Sequence, residues 1–441
     1  MLSKSYNSSF GRGWHFEYDE FISKLQSGTF VYSRGDGSAI YFEPNGKGGY
    51  TCPDGYNLTF TPVKIGEKEG DFGGEELEKY NVYEYEVKSA DGEVRRFNTM
   101  GMLTRITDAK GFVTSLAYDD EYNLKSITSP AGTVYSFSYT DDGYIKAITL
   151  PNGKTLNYAY DDNNNLVSYK DANGNEIKYA YDSKHQMTSW TDAEGNVIVT
   201  NTYDNEGRVT KQVDANGAVS TLAYANGKTT TTDANGNVTV YHYDSQYRTI
   251  KIEYPNGSIE VKTYDSSNNL ASVTDKNGNK TEYTYDNSGN ILTEKRFDGA
   301  VKKYEYNSDN QITKVTDYDG KTTSYEYRNK DLVKQINNNG TELSFEYDSK
   351  HRLIKNTDAK GNTASFGFTG ALVTSITSAD GNTTEYNYDS MGKLISMVDA
   401  AGNITRYTYD AAGRKLSEQA ADGGVTHFTF DKAGWFSNLH Y

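Results

Sequence analysis

The sequence predicts an all-β protein: a long antiparallel ribbon of hairpins, coiled into a spiral shell or a barrel-like wall. Three observations carry this. Sixteen turn glycines, from Gly111 through Gly132, Gly153 and Gly174 to Gly402 and Gly423, recur at spacings of 19 to 22 residues, most often 21. An aromatic residue stands seven places after most of them, as in Tyr118, Tyr139, Tyr160 and Tyr181. Between glycine and aromatic the residues alternate with period two, the signature of a strand with two unlike faces.

One unit shows how the pattern builds two strands. In Gly278-Asn279-Lys280-Thr281-Glu282-Tyr283-Thr284-Tyr285-Asp286, Thr281, Tyr283 and Tyr285 fall on one face, and Lys280, Glu282, Thr284 and Asp286 on the other. Asn287-Ser288-Gly289-Asn290 then reads as a turn, and Ile291 to Arg296 as the returning strand. Asp-x-x-Gly closes the unit, as in Asp171-Ala172-Asn173-Gly174 and Asp399-Ala400-Ala401-Gly402. The short Asp carboxylate can accept from the turn's N–H groups while glycine takes the left-handed position. The aromatic-x-aromatic pair occupies twelve of the sixteen units and the following Asp eleven, so the repeat is regular enough to set the fold.

Two local irregularities leave questions open. Tyr203 follows Gly195 by eight residues and not seven. In the returning strands Leu103 and Ile106, or Leu124 and Ile127, stand three apart, which plain alternation places on opposite faces. Either a bulge lies between them or both faces of the sheet are partly covered. Sixteen two-stranded units give about 32 strands, a ribbon of roughly 150 Å. A twisted sheet of that width curls, which is why a coiled wall is expected.

Composition agrees with half-buried sheet faces. The 441 residues include 39 Tyr and 17 Phe, with 41 Gly but only 6 Pro. Tyr packs a large apolar ring while its hydroxyl stays hydrogen-bonded. With 60 acidic and 45 basic residues, the net charge of −15 argues against nucleic acid or an anionic membrane as a partner. No apolar run approaches the ~18 residues of a membrane-spanning helix. Cys52, the single cysteine, leaves no intrachain disulfide.

The motif Tyr-Asp-x-x-Gly-Arg at 203–208 and 409–414, inside the wider Gly-Asn-x-Thr-x-Tyr-x-Tyr-Asp-x-x-Gly-x-Leu, resembles the YD repeat of RHS proteins, wall-associated bacterial proteins, insecticidal toxin complexes and teneurins. Phe10-Gly11-Arg12-Gly13-Trp14 and Tyr32-Ser33-Arg34-Gly35-Asp36-Gly37 are similar to the segment that opens an RHS core. The chain therefore divides into an RHS-type β segment over 1–90 and an array of about sixteen YD units over 91–441, with Gly66 to Lys79 read as a polar loop. The resemblance implies a secreted or surface-displayed bacterial shell that encloses a C-terminal toxin or abuts neighbouring shell segments. Bacterial RHS cores usually carry a self-cleaving aspartyl site with an Asp-Pro-x-Gly-Leu-type motif. That motif does not occur here, so a shell segment without its protease or toxin is expected.

No catalytic, cofactor-binding or metal-binding residue is assigned. The residues singled out are those of the structural repeat: Tyr160 and Asp161, Tyr181 and Asp182, Tyr203 and Asp204, Tyr243 and Asp244, Tyr285 and Asp286, Tyr409 and Asp410, with the turn glycines Gly174, Gly278 and Gly402. Carboxylates that recur in unit after unit point to turn capping, because catalysis gives no reason for such repetition. His15, His185, His242, His351, His427 and His440 are scattered without zinc-ligand spacing, so the protein is expected not to be an enzyme. Asp171-Ala172-Asn173-Gly174-Asn175 looks like half of a calcium loop but lacks the later bidentate Glu. Two binding roles stay open: an adhesive or carbohydrate-binding surface on the Tyr face, and edge-to-edge self-association at the terminal strand, where Trp435 and Phe436 stand.

Overall fold

The computed structural model describes residues 7–53, 55–70 and 78–440, and among them every regular element is a strand. Thirty-six strands, from Leu58–Gly70 to Phe436–His440, form one sheet in chain order that comes round on itself as a barrel-like wall. Chain neighbours pair antiparallel throughout, as in Val134–Tyr139 with Ile145–Thr149 and Ile145–Thr149 with Thr155–Tyr160.

Turn-to-turn contacts bring the wall round. Asn173 Nδ2 donates to Asp410 Oδ2 at 3.1 Å, and the Ala411 N–H donates back to Asn173 Oδ1 at 3.1 Å. The Lys432 N–H meets Glu194 Oε1 at 2.9 Å, and Asn310 Nδ2 reaches the Ala90 carbonyl at 3.2 Å. Three of these pairs are separated by 237 or 238 residues, which is the length of one circuit. Two strands per 21 residues make this a circuit of some twenty-three strands, so the wall is roughly 110 Å around and about 35 Å across. The turns that follow returning strands form one rim of the first circuit. They stack on the turns that follow outgoing strands in the second.

The open question about the returning strands is settled by a bulge. Ala117 pairs with Ser126 but Tyr118 pairs with Leu124, so Lys125 is an extra residue. The kink returns Leu124 and Ile127 to the same face, where they are 7% and 6% exposed. Thr104 plays the same part between Leu103 and Arg105. The eight-residue gap before Tyr203 has a similar cause: Trp190 pairs with Val199 and Thr191 with Val197, and the extra Ile198 absorbs the insertion.

Among the described residues, the N-terminal segment builds a deep core with the wall. A small sheet of Phe21–Lys24, Phe30–Ser33, Ala39–Pro44 and Tyr50–Thr51 lies on the ribbon. Its Ile22, Tyr32, Ile40 and Phe42 join Phe97, Leu103, Leu116 and Ile127 of the wall in a single cluster. The Phe42 ring stacks on Phe60 with centroids 5.0 Å apart. Buried Glu20 is paid for by partners, accepting from the Tyr32 hydroxyl at 2.8 Å and pairing with Arg95 at 3.0 Å. Gly101 lies so close beneath this sheet that a Cβ would meet the Ile22 carbonyl at 1.9 Å.

Two expectations need adjusting. The sheet begins at Leu58, so the boundary placed at 90/91 falls inside one continuous sheet. The stretch read as a loop over 66–79 is strand at both ends, since Leu58–Gly70 and Glu78–Ser89 pair as a long hairpin; 71–77 lie outside the described residues. The hairpin's outer part projects into solvent, with Lys64 to Lys68 all exposed, so backbone pairing holds it without an apolar face for sequence patterning to reveal.

Phe42→Ala should cost the N-terminal core about 3–5 kcal/mol, because the ring is fully buried. Hydrogen exchange should accelerate over residues 21–51 and 94–107 while strands 322–430 keep their protection. An even loss along the whole ribbon would show that the small sheet is not a core of its own.

Candidate functional site

The distinctive surface of this protein is the aromatic face of the ribbon, and its regularity comes from one hydrogen bond. In most hairpin steps the ladder from a returning strand to the next outgoing strand ends before the bulge. Between Leu166–Lys170 and Glu176–Tyr181 it covers Ser168 to Lys170, so the Leu166 carbonyl has no ladder partner on that side. The Tyr181 hydroxyl donates to it at 2.8 Å. Tyr160 serves Ile145 at 2.9 Å, Tyr285 serves Leu270 at 2.8 Å and Tyr409 serves Leu394 at 2.8 Å. Tyr203 reaches Met187 at 2.6 Å despite the inserted residue. Tyr243 holds its place through its N–H, which donates to the Gly227 carbonyl at 2.8 Å.

The Asp that follows fixes the turn. Asp161 Oδ1 accepts from the N–H groups of Asn163 and Asn165, and Oδ2 from Asn165 Nδ2. Asp286 does the same with Ser288 and Asn290. Asp204, Asp244 and Asp410 replace the amide with the guanidinium Nε of Arg208, Arg248 and Arg414. Asp182 accepts from the N–H groups of Lys184 and Gln186. At the other rim Gly174, Gly278 and Gly402 take φ of 88°, 83° and 83° and donate to the carbonyls of Asp171, Asp275 and Asp399. The half calcium loop at Asp171 is a turn of this kind: its Oδ1 accepts from Asn173 and Asn175. His185 Nδ1 donates to Asn165 Oδ1, and His351 Nδ1 contacts Asp331 Oδ2, each at 2.9 Å.

These environments set the titration of both residue types. Burial pushes the Tyr160 hydroxyl up, helped by neighbouring Tyr158 and Tyr144. Burial also lifts Tyr181, to about 12, against the opposing hydrogen bond from Trp14. For Asp161 and Asp286 burial acts upward but is outweighed by the Asn side chain and turn N–H groups, leaving both carboxyls below the usual range.

The face is covered along part of its length. Phe10 packs edge-on against Tyr158 at 4.9 Å, Trp14 against Tyr179 at 5.0 Å, and Phe16 lies 5.9 Å from Phe137. Trp14 Nε1 also donates to the Tyr181 hydroxyl at 3.0 Å. Farther along, Tyr241, Tyr283, Tyr304, Tyr325, Phe345, Phe366, Tyr386, Tyr407 and Phe428 continue the same row of rings, each half-buried. The opposite face is polar, with cross-strand pairs such as Lys314 with Glu305 and Lys355 with Glu346.

Sequence reasoning found the Tyr and the Asp but not the acceptor. The leading residue of the returning strand is an apolar side chain whose carbonyl does the accepting, and a backbone group leaves no mark on residue type. The segment that covers the face did leave one, in the aromatics Phe10, Trp14 and Phe16.

The family model described as RHS Repeat matches residues 97–134, 139–176, 160–197, 181–219 and 224–259, and that described as Teneurin YD-shell matches residues 274–433. The chain belongs to the YD/RHS-repeat family. Among solved structures, a mutant Tc holotoxin pore from Photorhabdus luminescens is similar at 11% identity and a TM-score of 0.59, over 94% of this chain and 26% of that one. TcdB2-TccC3 without its hypervariable C-terminal region is similar at 12% identity and a TM-score of 0.48, over 85% of this chain and 31% of that one. The first likeness shows that the YD-repeat wall shares its fold with a Tc toxin component, of which this chain spans about a quarter. No curated protein sequence matches the chain.

Tyr285→Phe should keep the ring packed but strip the Leu270 carbonyl of its donor, destabilising by about 1–2 kcal/mol in denaturant titration. No change in midpoint would mean that water replaces the hydroxyl without loss.

Stability should also fall at both ends of the pH scale. Asp161 and Asp286 are depressed in the fold, so their contribution is present above about pH 4 and is lost as pH falls through their folded values. Tyr160 and Tyr181 are raised, so theirs is complete below about pH 10 and is lost as pH climbs toward and past 12. Thermal melts across the range check both limbs.

Proposed function

We propose that this chain is a wall segment of a secreted or surface-displayed bacterial RHS-type toxin shell, and that the uncovered aromatic face holds an extended cargo polypeptide. One observation carries the reading. The segment Phe10 to Phe16 lies on the face at Phe137, Tyr158 and Tyr179, which supports a face suited to this chemistry. That chemistry is an aromatic-bearing chain laid across the rings, with a donor offered to a Tyr hydroxyl. The row from Tyr241 to Phe428 continues these rings, and among the described residues Phe10, Trp14 and Phe16 lie on the other stretch. A wall about 35 Å across, less the side chains on its inner side, leaves room for polypeptide within it. The role is mechanical and not catalytic: the repeated carboxylates are spent on holding turns.

A second reading, an adhesive surface for glycans, draws on Tyr122 and Tyr247. Both rings stand on turns, 60% and 87% exposed, and both residues hold a left-handed backbone that favours glycine. Stacking of such rings on sugars would explain why bulky residues persist there.

The readings separate in one experiment. A disordered, aromatic-containing polypeptide is appended after residue 441, and its digestion is compared with that of the free peptide. The shell reading expects slowed cleavage that is restored by Tyr304→Asp with Tyr325→Asp, at unchanged far-ultraviolet circular dichroism. Equal cleavage of fused and free peptide, together with glycan binding lost in Tyr247→Ala, would replace it with the adhesive reading.

A further inference from the structure

The turn after Asp182 departs from a pattern that several of its counterparts follow. After Asp161, Asp204, Asp244, Asp265, Asp286 and Asp348, the residue four places on turns its side chain back to the second carboxylate oxygen of that Asp. After Asp182 this residue is Gln186. Its N–H donates to Asp182 Oδ1 as usual, but its side-chain Nε2 is buried without a hydrogen-bond partner, and the residue is only 8% exposed. A buried donor left unpaired is disfavoured unless something else accepts from it.

Gln186 lines a cavity of 390 Å³ between the N-terminal segment and the wall. Trp14, Tyr181, Tyr203 and Met187 also line it. Exposed Arg12 and Lys184 belong to the same lining, and no carboxylate does. The volume suits a small organic molecule. Flat aromatic walls favour a ring, while the cations and the amide donor favour an anion that can accept a hydrogen bond. We propose that this cavity binds a small aromatic carboxylate, its ring among Trp14, Tyr181, Tyr203 and Met187, its carboxylate accepting from Gln186 Nε2 and facing Arg12 and Lys184. The site is independent of the shell reading, because it is built from the covered part of the ribbon and needs no cargo.

The test is calorimetric titration of the full chain with indoleacetate, benzoate and uncharged indole. Indoleacetate should bind saturably at one site with a Kd below about 1 mM, and indole about tenfold more weakly or worse. Lys184→Ala alters only an exposed side chain, so the fold is retained; it should weaken indoleacetate several-fold and leave indole unchanged. Gln186→Glu, which sets a carboxylate against the ligand's own, should weaken indoleacetate about tenfold or more, with a thermal melt recorded alongside. Failure of both carboxylates to bind at about 5 mM, or affinities indifferent to Lys184→Ala and to charge on the ligand, would overturn the proposal.

Discussion

The hydrogen bond from a tyrosine hydroxyl to the carbonyl of a bulged strand is the constraint on which the rest of this wall depends. A bulge brings Leu124 and Ile127 to one face, but it ends the ladder early and leaves a carbonyl facing the next hairpin. Tyr139 closes that gap by reaching Leu124 at 2.8 Å. The ring that delivers the hydroxyl also fills the face beside it, so one residue satisfies the backbone and packs the sheet together. Most units thereby fix their neighbours, and register is carried along much of the ribbon without a central core.

This economy explains how a chain with 35% hydrophobic residues forms so broad a sheet. Fully buried residues concentrate where the N-terminal sheet lies on the ribbon, and the remainder of the wall has rings that are half-buried. Such a wall resembles a repeat array more than a globule, with stability that depends on each unit and its neighbours. The turn-to-turn contacts between circuits add a second axis of order. Asn173, Asp410 and Ala411 form a small polar clasp between turns that lie far apart in sequence.

The N-terminal segment has two roles in this arrangement. It supplies the core that Phe42 and Phe97 share, and it covers the aromatic face from Phe137 to Tyr179. Laying Phe10, Trp14 and Phe16 over one stretch of rings distinguishes two otherwise equivalent parts of the ribbon, one occupied and one open. The cavity beside Gln186 is a product of that seating, since neither the segment nor the wall encloses it alone.

The strand alternation, the 21-residue period and the turn chemistry were all determined by the sequence, because each rests on side chains close together along the chain. Asp161, Asp286, Gly174 and Gly278 could be placed at their turns because an Asp cap and a left-handed glycine act within five residues. Tertiary structure decided what depends on backbone groups or on distant turns. The bulges at Thr104 and Lys125 and the carbonyls that receive Tyr160 and Tyr285 are backbone features, which any side chain could accompany. The circuit length is set by small rotations between strands that accumulate until Asn173 meets Asp410, and no local motif encodes such a sum. The outer part of the hairpin over 58–89 was read as loop for the opposite reason: Gly66 to Gly70 is a polar run with no apolar alternation, and its pairing rests on the backbone.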